Sequence, residues 1–83
     1  MKKLDEATKV FCSVRDAISP VDHPLAYRKM HFIPMAFYAV YSEAEAVKLL
    51  LDYDNGDERE LGRAVVNSMA EVRAAFFEED EEV

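Results

Sequence analysis

Apolar residues recur every three or four positions along the sequence, and this spacing constrains the fold more than any other feature. In the first segment they fall at Leu4, Ala7, Phe11, Val14 and Ile18. Residues with that spacing share one side of an α-helix. Only two glycines and three prolines interrupt the 83 residues, and 51% of the chain is apolar. The sequence therefore predicts an all-α fold.

The second long segment follows Pro34 and can be interpreted in two ways. Its apolar residues keep the helical spacing at Ile33, Phe37, Val40, Ala44, Val47 and Leu51, and Ala36 and Leu50 widen that side. Ser42 and Glu45, however, form a capping-box pair, which would begin a helix at Glu43 and leave residues 35–41 as a strand. We prefer one continuous helix because residues 35–41 show no alternation of apolar and polar side chains. The strand remains the alternative.

A turn at Asp54-Asn55-Gly56-Asp57 separates this helix from the last one. Gly56 suits the left-handed backbone position that follows a helix end. The inward side of the last helix is predicted to carry Leu61, Val65, Met69, Val72 and Phe76.

Pro24 can occupy the first position of a short helix between the first two long ones. Leu25 and Met30 would face inward, with Tyr27 beside them. The prediction is a small bundle of three long amphipathic helices with this short helix added.

The chain is short enough for one domain, which we place at residues 1–77. An acidic run follows at Glu78, Glu79, Asp80, Glu81 and Glu82. Negative charge is unfavourable at the C-terminal end of a helix. We therefore expect the last helix to end near Phe77 and residues 78–83 to form a mobile tail.

Charge is divided unevenly between the two halves of the chain. Residues 1–41 hold six basic and four acidic residues, a balance of +2, whereas residues 42–83 hold four basic and thirteen acidic residues, a balance of −9. The net charge is −7. Such a one-sided field bears on the choice of partner and on the rate of association rather than on fold.

The candidate binding residues come from this acidic half. The carboxylates expected to gather at one end of the helical hairpin, with Glu71 extending the set, are Glu43, Glu45, Asp52, Asp54, Asp57, Glu58, Glu60 and Glu71. Tyr38 and Tyr41 are added as interface anchors, because a tyrosine ring offers a large contact area with a polar tip. The alternative is that the bundle buries both rings against the first helix or against residues 22–33.

Catalytic and metal-binding patterns are missing from the sequence. Cys12, His23 and His31 have no metal-ligand spacing, and we predict no enzyme, metal or cofactor. The loop that begins at Asp52 lacks the glycine and glutamate that an EF-hand requires. We do not expect direct nucleic-acid binding, because phosphate contacts need a basic surface.

We therefore hypothesise a non-enzymatic inhibitor whose acidic half docks on a basic surface of another protein, including one that binds nucleic acid. In size, charge and lack of catalytic apparatus the chain resembles the anti-CRISPR and anti-restriction proteins of phages and mobile elements. The alternative is a helical assembly or adaptor subunit that oligomerises through apolar and tyrosine surface, so both monomer and homodimer stay open. The single cysteine and the lack of a secretory pattern predict a cytoplasmic protein with no membrane segment.

Overall fold

Every regular element in residues 3–81 is an α-helix, as the apolar spacing predicts. A computed structural model describes the backbone of those residues and the side chains of residues 3–75. The five helices in this range are α1 (Leu4–Ala17), α2 (Pro24–Met30), α3 (Met35–Val40), α4 (Glu43–Asp54) and α5 (Glu58–Glu81). The predicted small all-α bundle is confirmed. The short helix is present as α2, but the second long helix is divided into α3 and α4.

The division falls between Val40 and Glu43, so the prediction of one continuous helix is wrong. Tyr41 (φ −98°, ψ 149°) and Ser42 (φ −74°, ψ 166°) are extended. The Ser42 hydroxyl accepts the Glu45 N–H at 3.3 Å and donates to Glu45 Oε1 at 3.0 Å. Such a cap satisfies donors at the start of a helix that otherwise have no partner. The cap begins α4 where the alternative placed it, but residues 35–40 form a helix and not the strand of that alternative.

Phe37 and Tyr38 of α3 are both fully buried and join three helices. The ring of Phe11 in α1 meets the Tyr38 ring edge-on, with 5.2 Å between the centroids. The Tyr38 hydroxyl donates to the carbonyl of Met30, the last residue of α2, at 2.8 Å. Helix α3 also packs against α5. The buried hydrophobic residues are Ala7, Val14, Ile18, Ala26, Met30, Ile33, Phe37, Tyr38, Ala39, Ala46, Leu50, Leu61 and Ala64.

The buried side of α1 follows the prediction except at Leu4, which is 70% exposed, whereas those of α2 and α5 differ from it more. In α2, Ala26 is buried in place of Leu25, which is 55% exposed. In α5, Ser68 is buried and Met69 is 52% exposed. The Ser68 hydroxyl donates to the Val65 carbonyl at 2.7 Å, so its polar group is satisfied inside the core. An apolar pattern cannot reveal a buried serine that is paired within its own helix.

The turn between α4 and α5 has the predicted conformation. Gly56 has a φ of +102°, in the left-handed region, and α5 begins at Glu58. The backbone of α5 continues to Glu81, past the end expected near Phe77. Phe76 and the acidic side chains after it lie outside the described side chains. The mobility of residues 78–83, and the boundary at residue 77, therefore stay predictions.

Replacement of Tyr38 by phenylalanine tests the buried hydrogen bond between α3 and α2. We expect Tyr38→Phe to lower the free energy of unfolding by about 1–2 kcal/mol in urea denaturation, because the Met30 carbonyl loses its buried donor. The matched control is Tyr53→Phe, which keeps the half-buried ring that lies 5.5 Å from Lys29 Nζ. The control should change stability by less than about 0.5 kcal/mol. Equal losses in the two variants would contradict this role for the Tyr38 hydroxyl.

Replacement of Ser42 by alanine distinguishes a helix start from a helix interior by the sign of its effect. At the cap we expect a loss of about 1 kcal/mol in the free energy of unfolding. In a continuous helix the same change would raise stability by about 0.5 kcal/mol, because alanine has the higher helix propensity. Ser13→Ala within α1 is the control, and it should be neutral or slightly stabilising. A gain in stability for Ser42→Ala would refute the division into α3 and α4.

Candidate functional site

Five of the predicted acidic residues lie at the turn between α4 and α5, but Glu43 and Glu45 lie at the other end of α4. The expectation that all seven gather at one end of the hairpin is therefore wrong. Glu43 and Glu45 are in the first turn of α4, and Asp52 and Asp54 are in its last turn. The helix has 12 residues and is therefore about 18 Å long. Asp57, Glu58 and Glu60 follow across the turn and at the start of α5, and Glu71 lies further along that helix.

Asp54 is part of the fold rather than of an available surface. Its Oδ1 accepts the backbone N–H groups of Leu25 at 3.1 Å and Ala26 at 3.2 Å. Its Oδ2 lies 3.3 Å from His23 Nδ1. His23 occupies the N-cap position of α2, but its side chain accepts no hydrogen bond from the first turn of that helix. The Asp54 carboxylate accepts these hydrogen bonds instead and so acts as the cap of α2. The prediction that Asp54 contacts a partner is therefore not compatible with its position.

The surroundings of Asp54 act on its pKa in opposite directions. Partial removal from water raises the pKa. Hydrogen bonds from the Ala26 N–H, from His23 and from the Leu25 N–H lower the pKa, as does the positive charge of His23. The lowering contributions prevail, so the pKa of Asp54 lies below its ordinary value. The folded protein thus favours the ionised carboxylate that caps α2.

Tyr38 is not a surface anchor, because it is 0% exposed. The alternative of burial against the first helix is correct for this residue, and burial raises the pKa of its phenol. Tyr41 is half-buried, with its ring 5.1 Å from that of Phe37. It lines a shallow groove between α4 and α5 together with Glu45 and Arg63.

Two further carboxylates are held by contacts within the fold. Glu45 belongs to the Ser42 cap, and Glu60 Oε1 lies 4.0 Å from Arg63 Nη1 in an exposed pair. Exposed pairs of this kind contribute little stability. Among the side chains of residues 3–75, those of five predicted acidic residues carry no such contact: Glu43, Asp52, Asp57, Glu58 and Glu71.

The negative charge of the described surface is smaller than that of the whole second half. Residues 42–75 hold eight acidic and four basic residues, a balance of −4, against −9 for residues 42–83. The difference is the acidic run at residues 78–82, whose side chains are not described. A binding surface built from described residues therefore rests on a few placed carboxylates and not on a high charge density.

The outer side of α4 carries an apolar stripe that the sequence assigned to the core. Ala44 is exposed and Leu51 is half-buried, whereas Val47 packs in part against the core. The fully buried residues of α4 are Ala46, which the sequence did not assign inward, and Leu50, which it did. With Glu43, Lys48 and Asp52, the stripe of Ala44, Val47 and Leu51 lines a shallow, open groove along the surface of α4 alone. The sequence does contain an indication of this stripe. Apolar residues occur on more than one side of α4, whereas a helix with a single buried face requires them on one side only.

The histidines and the cysteine have separate surroundings. His23 lies beside Asp54, while His31 Nδ1–H donates to the Tyr27 carbonyl at 2.8 Å. Cys12 is a free, half-buried thiol on α1. No group of three or more potential metal ligands occurs among the described residues. Within that same part of the chain, none of the helices combines the length and the apolar composition needed to span a bilayer.

Comparison with known proteins does not assign the chain to a family. No protein-family model, curated protein or solved structure matches it. The function is therefore inferred from the geometry of the site.

The pKa of Asp54 predicts a measurable dependence of stability on acid. A carboxyl group with a lower pKa in the folded state stabilises the fold above its unfolded pKa of about 3.9, and this contribution is lost as the pH falls through the folded value. We expect the free energy of unfolding, measured by urea denaturation, to fall between about pH 5 and about pH 2.

Asp54→Asn tests whether this carboxyl group carries part of that dependence. The variant should be less stable at neutral pH and should show a shallower acid dependence, because it cannot titrate. Asp57→Asn removes an exposed carboxylate that does not cap α2, and it should keep the parent slope. An unchanged slope in Asp54→Asn would show that the cap does not depend on charge.

Proposed function

We propose that this chain is a non-enzymatic binding protein that docks on a basic surface of another protein. The docking surface would be the outer side of α4, with Glu43 and Asp52 at its two edges and Asp57 just beyond the end of the helix. We call these three residues the acidic face. Glu43 and Asp52 line the same groove, and the Asp57 N–H donates to the Asp52 carbonyl at 2.9 Å. The observation that carries the proposal is that none of the three carboxylates has a partner among the described side chains.

Elementary electrostatics supports a partner with positive charge. Opposite charge speeds encounter and penalises wrong partners, although exposed charges add little affinity unless they become desolvated on binding. Glu43 and Asp52 belong to a helix, so their backbone is already ordered before docking. The entropy cost of binding is smaller for that reason. Asp54 and Tyr38 are excluded from this face because the fold uses both.

The partner that best suits such a face is a protein with a basic groove for nucleic acid. A carboxylate array can compete there with a phosphate backbone, as the sequence led us to hypothesise for this chain. In size and charge the chain resembles anti-CRISPR and anti-restriction proteins. Glu45, Glu58, Glu60 and Glu71 would extend the negative surface around the contact, and Tyr41 would lie at its edge. The proposal places the protein in the cytoplasm, where the Cys12 thiol stays reduced.

A second function is favoured by a separate observation on α5. Val66 is 66% exposed and Met69 is 52% exposed, and with Ala70 and Arg73 they line one outward patch. An assembly subunit could oligomerise through such apolar surface. A stable dimer in light scattering would favour this function over the first.

Capture of a partner at different salt concentrations tests the leading proposal. The immobilised chain is exposed to a lysate of its host at about 50 mM salt, and retained proteins are eluted by steps to about 500 mM. We expect a retained protein with a basic surface whose binding falls steeply as salt screens the charges. If the amount of retained protein does not change between about 50 mM and about 500 mM salt, the electrostatic mechanism is rejected.

Matched variants locate the contact. Retention should be lost in a triple variant that neutralises the acidic face: Glu43→Gln, Asp52→Asn and Asp57→Asn. The control makes the same charge change at exposed residues of the first half: Glu6→Gln, Asp16→Asn and Asp22→Asn. If the two triple variants lose retention equally, net charge and not the acidic face carries the binding.

A further inference from the structure

We infer that the groove on the outer side of α4 receives a basic amphipathic helix of the partner protein. This inference rests on the proposed function and specifies the element of the partner that the acidic face recognises. The groove is the one lined by Ala44, Val47 and Leu51 together with Glu43, Lys48 and Asp52.

The apolar content of α4 exceeds what the bundle covers. The helix packs against α1, α2 and α5, and it buries Ala46 and Leu50. Ala44, Val47 and Leu51 are three and four residues apart, so they form a second stripe along the helix. The bundle covers this stripe only in part, since Val47 packs partly against the core while Ala44 is exposed and Leu51 is half-buried. A stripe with this spacing is the pattern through which helices bind to one another.

The charges beside the stripe define what can cover it. Asp52 lies nine positions after Glu43, which corresponds to about 13 Å along the helix axis and to about half a turn around it beyond two full turns. The two carboxylates therefore lie at opposite ends and on opposite edges of the stripe. An occupant needs apolar residues between two cations with the same separation, and no cation opposite Lys48, which lies between the two carboxylates along the helix. A helix with lysine or arginine at two positions nine residues apart and apolar residues between them meets these requirements.

A second copy of the chain does not meet these requirements for an occupant of the groove. In a two-fold contact centred on the stripe, whether parallel or antiparallel, each end would hold two carboxylates and no cation. The two Lys48 side chains would also lie at nearly the same height. Like charges that meet at an interface disfavour the complex. Nucleic acid and anionic lipid are disfavoured for the same reason, so the occupant is a different, basic protein.

Synthetic peptides of defined charge test the inference directly. The probe is a blocked peptide of about 14 residues with leucines along one stripe and lysines nine positions apart on its two edges. A second peptide has glutamates in place of those two lysines. In fluorescence anisotropy at low salt, we expect the lysine peptide to bind at least about tenfold more tightly. Equal binding of the two peptides would overturn the inference.

Variants of the chain show whether the groove is the binding site. Glu43→Lys combined with Asp52→Lys should reverse the order of the two peptides, whereas Glu6→Lys combined with Asp16→Lys on α1 should preserve it. Leu51→Ser should weaken the lysine peptide about tenfold through lost apolar contact. Val66→Ser, on the exposed side of α5, should leave binding unchanged. Equal effects of Leu51→Ser and Val66→Ser would contradict the assignment, and circular dichroism checks that each variant is folded.

The two proposals can fail separately. If partner capture depends on salt and on the acidic face but Leu51→Ser changes neither capture nor peptide binding, the proposed function stands and the helix-binding groove is refuted. If the peptides behave as expected but no basic protein is retained from the lysate, the groove stands and the proposed function fails.

Discussion

The extended backbone of Tyr41 and Ser42 sets the direction in which α4 leaves α3, and the arrangement of the site depends on that direction. The hydrogen bonds between Ser42 and Glu45 begin α4 at this break. In a continuous helix Val47 and Leu51 would follow Phe37 on one buried stripe. Two extended residues at the junction shift the side of α4 that meets the core, so Ala46 and Leu50 are fully buried while Val47 packs against the core only in part. A local break between the helices thus leaves an apolar stripe outside, between two carboxylates.

Helix α2 illustrates how the fold assigns different roles to chemically identical residues. A helix of seven residues is not stable alone, and α2 lacks a side-chain cap of its own. Asp54 supplies that cap from 28 residues away, and the Tyr38 hydroxyl binds the carbonyl at the other end of α2. Asp52 and Asp54 belong to the same turn of α4, yet only Asp54 is used by the fold. The available acidic surface is therefore smaller than the sequence indicates.

The parts of the fold that the sequence predicts are those with local causes. The buried residues of α1 and the left-handed Gly56 follow from spacing and turn chemistry within a few positions. The capping box is local as well, but the unbroken apolar spacing across Ser42 favours a continuous helix and outweighs it in the prediction. Apolar spacing also places Leu25 and Met69 inside, although Ala26 and Ser68 fit the space between helices better.

The sequence by itself determined the helical class and the turn at Gly56, because helices and turns form through contacts between residues a few positions apart. It also determined the excess of negative charge in the second half, which is a matter of composition alone. Only the tertiary structure decided which carboxylates remain available, that Tyr38 is buried, and that one apolar side of α4 faces outward. These outcomes depend on contacts between distant residues, such as His23 with Asp54 and Phe11 with Tyr38. Periodicity and composition contain no information about such pairs.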